Sequence, residues 1–271
     1  MCTIVMLADV HPEAPLIVAA NRDEYYHRRA TGPQVLVDGP TRVLGGRDEV
    51  RAGTWMGVTA RGFFVGVTNQ RTGRPADTSL RSRGEVVLAA LTLGDTTAVE
   101  RYVRALDGRA YNAFNLAFGD AGALRVAYVR REEPLVTVVA LPSGVHVLAN
   151  DRLDSPDFPK AQRAARRVES ETLRTRGWDA LARSLMGVLA DHEVPPEETL
   201  PPAPPGSLMP AALLRRLQAL CVHTPVYGTV SATMLALAPG RVQRYLYADG
   251  APCRASFRDL TGLATASTGS P

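Results

Sequence analysis

Met1-Cys2-Thr3-Ile4-Val5 opens the chain, and the rest of the sequence is arranged around it. Cysteine is small enough for the preceding methionine to be removed, and Cys2 would then carry both a thiol and a free α-amino group. An α-amino group has a reference pKa of about 7.7–8.0, so part of it is unprotonated near neutral pH. One residue could therefore supply both nucleophile and base for hydrolysis. A small buried cysteine can equally begin a first strand, so position alone leaves both interpretations open.

Composition describes an ordinary globular protein. The 271 residues are 45% hydrophobic and 21% charged, with a formal net charge of +4. No basic run with interleaved aromatic residues occurs, which argues against nucleic-acid binding. No apolar stretch reaches the roughly 18 residues of a membrane span, and the start has no signal peptide, so we expect a cytoplasmic protein. Three cysteines without paired spacing predict neither a disulfide framework nor a zinc site, and Cys221 and Cys253 are expected to be inert.

The first two apolar runs predict a hairpin that brings polar residues to the chain terminus. The runs are residues 2–7 and 15–20, separated by a turn at 11–13. The second run delivers Asn21-Arg22-Asp23-Glu24 at its end, beside Cys2 if the strands pair. Four polar residues at a strand end can also be a solvated turn, and on their own they usually are.

Residues 31–53, rich in glycine and proline, are expected to form a long loop, and a second hairpin follows at 53–58 and 62–69. Its last residue is Asn69. Four arginines come next, and they form either a solvated loop or a site for carboxylate or phosphate: Arg71, Arg74, Arg81 and Arg83.

The remaining chain alternates between groups of helices and groups of strands. Ser82 and Glu85 predict a capping box that starts a helix, and Asp95 or Thr96 caps a second one. Further strands are predicted at 112–116, 123–129, 134–140 and 145–149, which read as an antiparallel meander ending on Asn150. Helices are predicted at 158–173, 178–189 and 211–217, a proline-rich loop at 194–210, and late strands at 218–222, 227–237 and 241–247.

This grouping predicts an α+β fold, a four-layer αββα sandwich in which two stacked, mainly antiparallel sheets are flanked by helices. No repeat or linker interrupts it. We therefore expect one domain over residues 1–259 and a flexible tail over 260–271.

Several short motifs recur in this order in one family. They are Met1-Cys2-Thr3-Ile4, Ala20-Asn21-Arg22-Asp23-Glu24, Gly53-Thr54-Trp55-Met56-Gly57, Thr68-Asn69, Arg81-Ser82-Arg83-Gly84-Glu85, Asn112-Ala113-Phe114-Asn115-Leu116, Asn150 and Tyr227-Gly228-Thr229. On these residues the chain resembles the NRDE family, whose animal members are called Transport and Golgi organisation protein 2, from residue 1 to about residue 247. The resemblance implies the fold of N-terminal nucleophile (Ntn) hydrolases. A looser similarity reaches the cholylglycine and penicillin V acylases, which also begin Met-Cys-Thr.

The acylase-like pattern implies a catalytic set. Cys2 would be the nucleophile, with Arg22 favouring its thiolate form and Asp23 orienting its amino group. Asn69 and Asn150 would donate hydrogen bonds to a developing oxyanion. Residues that would bind substrate are Asn21, Glu24, Trp55, Arg71, Arg81 and Tyr227; Trp55 and Tyr227 can equally be structural.

Two departures bear on these roles. In the acylases the arginine and the aspartate are spaced apart, whereas Arg22 and Asp23 are adjacent. Neighbours on a flat strand point to opposite faces, so Asn21 or Glu24 is an alternative partner for Cys2. Many family members also have an arginine where Val230 stands here. Arg241 or Arg244 would then have to replace it.

Two functions remain open. The chain resembles an amidohydrolase or acyltransferase acting through Cys2 on a small non-peptide amide or thioester, a C–N bond hydrolase that requires no cofactor. The family resemblance also allows a non-catalytic carrier of haem, acyl-CoA or lipid that uses the same cleft and its arginines. His27 and His223 could then ligate haem iron, whereas His146, inside an alternating strand, is expected to be a satisfied core residue.

Overall fold

The amino-terminal hairpin lies inside an antiparallel sheet rather than at its edge. The computed structural model describes residues 2–72, 75–133, 135–204 and 206–265. Within them a six-stranded sheet has the order β10-β1-β2-β11-β12-β13 and a seven-stranded sheet the order β3 to β9. The strands are β1 (Thr3–Ala8), β2 (Leu16–Tyr25), β3 (Ala30–Val37), β4 (Val43–Asp48), β5 (Met56–Thr59), β6 (Phe64–Asn69), β7 (Phe114–Gly119), β8 (Leu124–Val129), β9 (Thr137–Leu141), β10 (Gly144–Leu148), β11 (Tyr227–Ala238), β12 (Arg241–Ala248) and β13 (Phe257–Asp259).

The two sheets stack face to face and helices cover their outer faces. Alternation along β1 sends Ile4 and Met6 into the core between the sheets, and Val5 and Leu7 toward the helices. The helices are α1 (Arg83–Leu93), α2 (Thr96–Arg104), α3 (Pro159–Arg167), α4 (Trp178–Leu189), α5 (Ala211–Arg216) and α6 (Thr261–Thr265), with a π-helical turn at Val168–Thr172. Apolar residues of α1 and α2 share a core with the seven-stranded sheet, and those of α3 and α4 share one with the six-stranded sheet. The predicted αββα sandwich is confirmed.

The sequence led us to expect a loop over residues 31–53, but this stretch contains most of β3 and all of β4. Glycines in this stretch allow neighbouring residues to pack closely against the strand. A Cβ atom at Gly46 would overlap the ring of Trp55, so only glycine leaves room for the indole. β3 pairs irregularly with β4, with register shifts on both sides of Gln34. Glycine and proline in β3 therefore mark an irregular strand at the sheet's edge.

Three other local predictions were wrong. The strand β10 leaves the predicted meander and pairs with β1 at the edge of the six-stranded sheet, where Val147 joins the core on the helix side and Leu148 the core between the sheets. Residues 218–222 form turns instead of a strand. Ser82 occupies the N-cap of α1 but its side chain makes no capping hydrogen bond, whereas Asp95 caps α2 by accepting from the backbone N–H of Ala98.

Part of the carboxyl-terminal stretch packs against the core, which the sequence did not lead us to expect. The stretch predicted to be a flexible tail begins with α6, and Ala264 of that helix is buried in the core between the sheets. Residues 266–271 lie outside the described residues, and the single domain stays a prediction. In the part of the chain that is described, no helix is long and apolar enough to cross a membrane.

Candidate active site

Strand pairing places Cys2 beside Arg22. The last paired residues of the hairpin are Thr3 and Asn21, so the next pair in the same register is Cys2 and Arg22. Both follow the alternation of Ile4 and Ala20, which face the second sheet. Cys2 is a partly buried free thiol, and it lines a pocket with Arg22, Trp55, Ser231 and Thr233, among other residues. The pocket is small, about 10 Å³, roughly the space for one water molecule.

Arg22 is held against an aromatic wall of this pocket. Its guanidinium carbon lies 4.2 Å from the centre of the Trp55 ring, and the residue is only 8% exposed. A cation over an indole face gains electrostatic attraction, more so when water is excluded. Trp55 therefore fixes a positive charge next to the thiol.

A second arginine lies near the thiol, and the sequence analysis placed it in a possible anion site but not in the catalytic set. Arg83 begins α1, and burial lowers its pKa from the usual value. The charges of Glu24 and then Cys2 oppose that shift, so each of these groups is close enough to interact with Arg83. Two glycines allow the start of α1 to pack closely against the segment before β5. The backbone N–H of Thr54 donates to the carbonyl of Gly84 at 3.3 Å, and a Cβ at Gly53 would overlap Gly84. The sequence feature that could have identified Arg83 is its place in the family motif at residues 81–85.

Asp23 faces the helices. Its carboxylate is 3.2 Å from the ammonium nitrogen of Lys160 in α3 and accepts a 2.6 Å hydrogen bond from Thr229. The side chains of Asp23 and Lys160 are fully buried. Thr229 reaches this face because β11 is irregular between Thr229 and Ser231, at Val230. The sequence identified neither partner, and the proposed role of Asp23 toward the Cys2 amino group stays a prediction.

Asn21 and Tyr227 brace the same strand end. The Asn21 amide donates to the carbonyls of Leu189 at 2.8 Å and Leu220 at 2.9 Å, tying β2 to the end of α4. The Tyr227 hydroxyl donates to the backbone carbonyl of Asp23 at 2.8 Å. Asn21 also contributes to the pocket lining. For Tyr227, the hydrogen bond favours the structural interpretation over a substrate contact.

The two asparagines predicted as oxyanion donors lie together. The Asn150 amide donates to the backbone carbonyl of Asn69 at 2.8 Å. A residue the sequence analysis left without a role holds them in place, because the Asn115 amide donates to Thr68 at 3.1 Å and to the Asp151 carbonyl at 2.9 Å. Neither Asn69 nor Asn150 is among the described residues that line the Cys2 pocket. Their predicted role stays a prediction.

The described members of the predicted arginine group have different partners. Arg71 donates to the Pro202 carbonyl at 3.1 Å and lies 5.7 Å from the Phe158 ring, and burial lowers its pKa. Arg81 is exposed and lies 5.3 Å from the Tyr111 ring. Arg74 lies outside the described residues. The arginines near the thiol are Arg22 and Arg83, and Arg83 belongs to the predicted group. Neither of the suggested substitutes, Arg241 and Arg244, lines the Cys2 pocket.

Comparison with known proteins identifies the family. The model of the Transport and Golgi organisation 2 family matches residues 1–245. The chain belongs to this family. It is 32% identical over 248 residues to the Transport and Golgi organization protein 2 homolog of Bos taurus, a match that covers 87% of this chain and 88% of the relative. The Homo sapiens homolog is 32% identical over 255 residues, with the same coverage of each chain.

Solved structures share the fold of this family member at low sequence identity. A conjugated bile acid hydrolase from Clostridium perfringens has a TM-score of 0.58 and 11% identity, covering 98% of this chain and 95% of its own. A penicillin V acylase from Agrobacterium tumefaciens has a TM-score of 0.53 and 12% identity, covering 96% and 86%. An N-acylethanolamine-hydrolyzing acid amidase ortholog from Caenorhabditis elegans has a TM-score of 0.56 and 13% identity, covering 87% and 92%. These neighbours establish the Ntn-hydrolase fold.

Proposed function

We propose that this protein is an N-terminal-cysteine amidohydrolase or acyltransferase that acts on a small non-peptide amide or thioester. The observation that carries the proposal is the place of Cys2, a free thiol in a pocket between two sheets with Arg22 beside it. Support comes from the shared fold of three structures whose names describe hydrolases and an acylase of small amides.

Removal of Met1 precedes the reaction and frees the α-amino group of Cys2. The Cys2 amino group takes the thiol proton, the sulfur attacks the substrate carbonyl carbon, and the carbonyl oxygen becomes an oxyanion. The proton then passes to the leaving amine or thiol, its bond to carbon breaks, and a thioester on Cys2 remains. Attack by water gives a carboxylic acid, and attack by another nucleophile completes acyl transfer. The chemistry needs no cofactor, and a reducing cytoplasm keeps the thiol free.

Two positive charges lie near the attacking sulfur. Arg22 lines the same pocket as Cys2, and Arg83 is close enough for its charge to interact with Cys2. Asn69 and Asn150 are the proposed oxyanion donors, and loss of one such donor typically slows a reaction by about 10²–10³. The small pocket holds the carbonyl group, and the remainder of the substrate extends through its opening.

The decisive experiment combines intact mass with a reagent selective for 1,2-aminothiols. Protein taken from its own cells should lack Met1, and 2-cyanobenzothiazole should label it once, at Cys2, because only a cysteine with a free α-amino group forms the stable ring. Labelling should disappear in Cys2→Ala and persist in Cys253→Ser, which removes an exposed thiol elsewhere.

Turnover is measured next on a panel of small amides and acyl thioesters, in wild type and Cys2→Ala. We expect a Cys2 thioester in the mass spectrum and its loss in the variant. A retained Met1, or equal turnover by both proteins, would overturn the proposal. Binding of acyl-CoA or haem without turnover, and with equal affinity for both proteins, would indicate the carrier function instead.

A further inference from the structure

Four metal-binding side chains converge on the helix side of the six-stranded sheet. They come from three separate segments: His192 follows α4, Cys221 and His223 precede β11, and Cys253 lies in the turn between β12 and β13. One ligand atom from each residue lies within 4.8 Å of all the others. In the linear sequence these residues have no zinc-finger spacing, which is why the pattern of cysteines predicted no such site.

The distances fit one tetrahedral ion. The two sulfur atoms are 3.7 Å apart, and Nε2 of His223 is 3.7 Å from the sulfur of Cys221 and 3.3 Å from that of Cys253. Zinc bonds of about 2.3 Å to sulfur and about 2.0–2.1 Å to nitrogen give tetrahedral edges of about 3.8 Å between sulfurs and about 3.6 Å between sulfur and nitrogen. These three atoms therefore have the separations that zinc requires, and a ring nitrogen of His192 lies within 4.8 Å of each of them.

Neighbouring hydrogen bonds orient two of the ligands. Nδ1 of His192 lies 3.1 Å from the backbone carbonyl of Cys221, an acceptor, so this nitrogen carries the proton and Nε2 is left to bind a metal. The backbone N–H of Cys221 donates to the carbonyl of Asp191 at 2.7 Å. Metal-binding histidines commonly donate their second ring nitrogen to a carbonyl in this way.

The charges of these four ligands match a divalent cation. Zinc binds cysteine as the thiolate and histidine as the neutral imidazole. A divalent ion that binds here displaces one proton from each thiol to solvent. Two thiolates and two neutral imidazoles around it then make a site with no net charge.

We propose that His192, Cys221, His223 and Cys253 form a structural zinc site. Two sulfur and two nitrogen ligands in a tetrahedron favour zinc over magnesium, calcium or manganese. Four protein ligands fill its coordination sphere, which is typical of a structural rather than a catalytic ion. A haem does not fit between atoms this close, because its axial ligands lie on either side of a wide macrocycle.

The zinc would hold the strand that carries the candidate active site. Cys221 is preceded by Leu220, whose carbonyl accepts from Asn21, and followed by Val222, whose N–H donates to Thr229. Thr229 in turn donates to Asp23. The ion would therefore fix the end of α4 and the turn after β12 against Asn21 and Asp23. This site is independent of the chemistry proposed for Cys2.

The test is metal content. Protein expressed in zinc-supplemented defined medium and purified by gel filtration should contain about one zinc per chain by plasma mass spectrometry. The double variant with Cys221→Ser and Cys253→Ser should contain at least about tenfold less zinc. The matched controls Cys2→Ser and His27→Gln, which remove a thiol and a histidine outside the cluster, should keep it. Growth in cobalt should give the visible absorption of tetrahedral cobalt thiolate in wild type and not in the double variant.

A second variant covers the case in which the double variant does not fold. His192 is exposed, so His192→Ala should fold while losing zinc to a competing chelator at an at least tenfold lower concentration than wild type. The proposal is overturned if wild type binds neither zinc nor cobalt while both thiols titrate as free. A disulfide between Cys221 and Cys253 in protein from its own cells would also overturn it.

Discussion

Arg22 and Asp23 are neighbours in the chain but belong to different layers of the protein. Arg22 contacts Trp55 beside the Cys2 pocket, and Asp23 contacts Lys160 of the helix layer. Side chains of neighbouring residues on a strand point to opposite faces, so the sequence alone was sufficient to predict this separation. The partner of Asp23 was not predictable. Lys160 is the only lysine in the chain, and it is fully buried, where a lysine is rarely found unless it is paired.

Breaking this buried pair should destabilise the fold. Asp23→Asn leaves the ammonium of Lys160 buried without its counter-charge, and loss of one partner costs about 3–5 kcal/mol of unfolding free energy. Urea denaturation measures the change. The matched control is Glu49→Gln, which breaks an exposed pair with Arg29 and should cost about 1 kcal/mol or less. Equal losses in both variants would contradict the importance of the buried pair.

A pH-dependent contribution to stability is expected at His146. Its Nδ1 is 2.7 Å from a carboxylate oxygen of Asp154 and its Nε2 is 3.0 Å from the Pro142 carbonyl, which confirms the expected satisfied core histidine. The hydrogen bond to Asp154 is the main cause that raises the pKa of His146, and burial works against it.

Because the folded-state pKa is raised, this stabilisation is full below the unfolded value of about 6.5 and is lost as pH rises through the folded value. The difference in unfolding free energy between wild type and His146→Gln should therefore be larger at about pH 5.5 than at about pH 8. Denaturant titrations at both pH values measure it. A difference that does not change with pH would show that the imidazole keeps one protonation state throughout.

At the scale of elements, β4 shows why a glycine-rich stretch can be a strand. Gly45 and Gly46 favour a loop when only propensity is considered. In the folded protein, however, they are the positions where the Met56 carbonyl and the Trp55 ring approach β4. Such close approach depends on which strands pair, and local sequence contains no information on pairing between β4 and β5.

Gly46→Ala should displace Trp55 and with it the contact to Arg22. Overpacking of this kind costs about 1–3 kcal/mol. We expect a shift in the fluorescence of Trp55, one of two tryptophans, together with a lower free energy of unfolding. Gly262→Ala is the matched control, because a Cβ there meets nothing within 4 Å in α6. It should be neutral or stabilising by about 0.5–1 kcal/mol. An unchanged spectrum in Gly46→Ala would show that β4 can move away from the indole.

For the whole molecule, stability depends on the apolar layer between the two sheets. Residues from both sheets and from α6 meet there, and most are nearly inaccessible to water. Leu16→Ala removes a side chain that is 1% exposed in this layer, and it should cost about 2–5 kcal/mol. Leu135→Ala changes a leucine that is 77% exposed and should stay within about 0.5 kcal/mol. Thermal or urea unfolding compares them, and similar costs would contradict the layered core.

The amino-acid sequence by itself determined the family, the four-layer class of fold, most helix and strand positions, and the pairing that sets Cys2 beside Arg22. These follow from periodicity and short motifs, which are local. Only the tertiary structure decided that β10 joins the first sheet, that Asp23 binds Lys160, that Arg83 lies near the thiol, and that two histidines and two cysteines meet. Each of these is a contact between residues tens to hundreds of positions apart, and it exists because burying apolar faces brings the layers together. No local pattern specifies such partners.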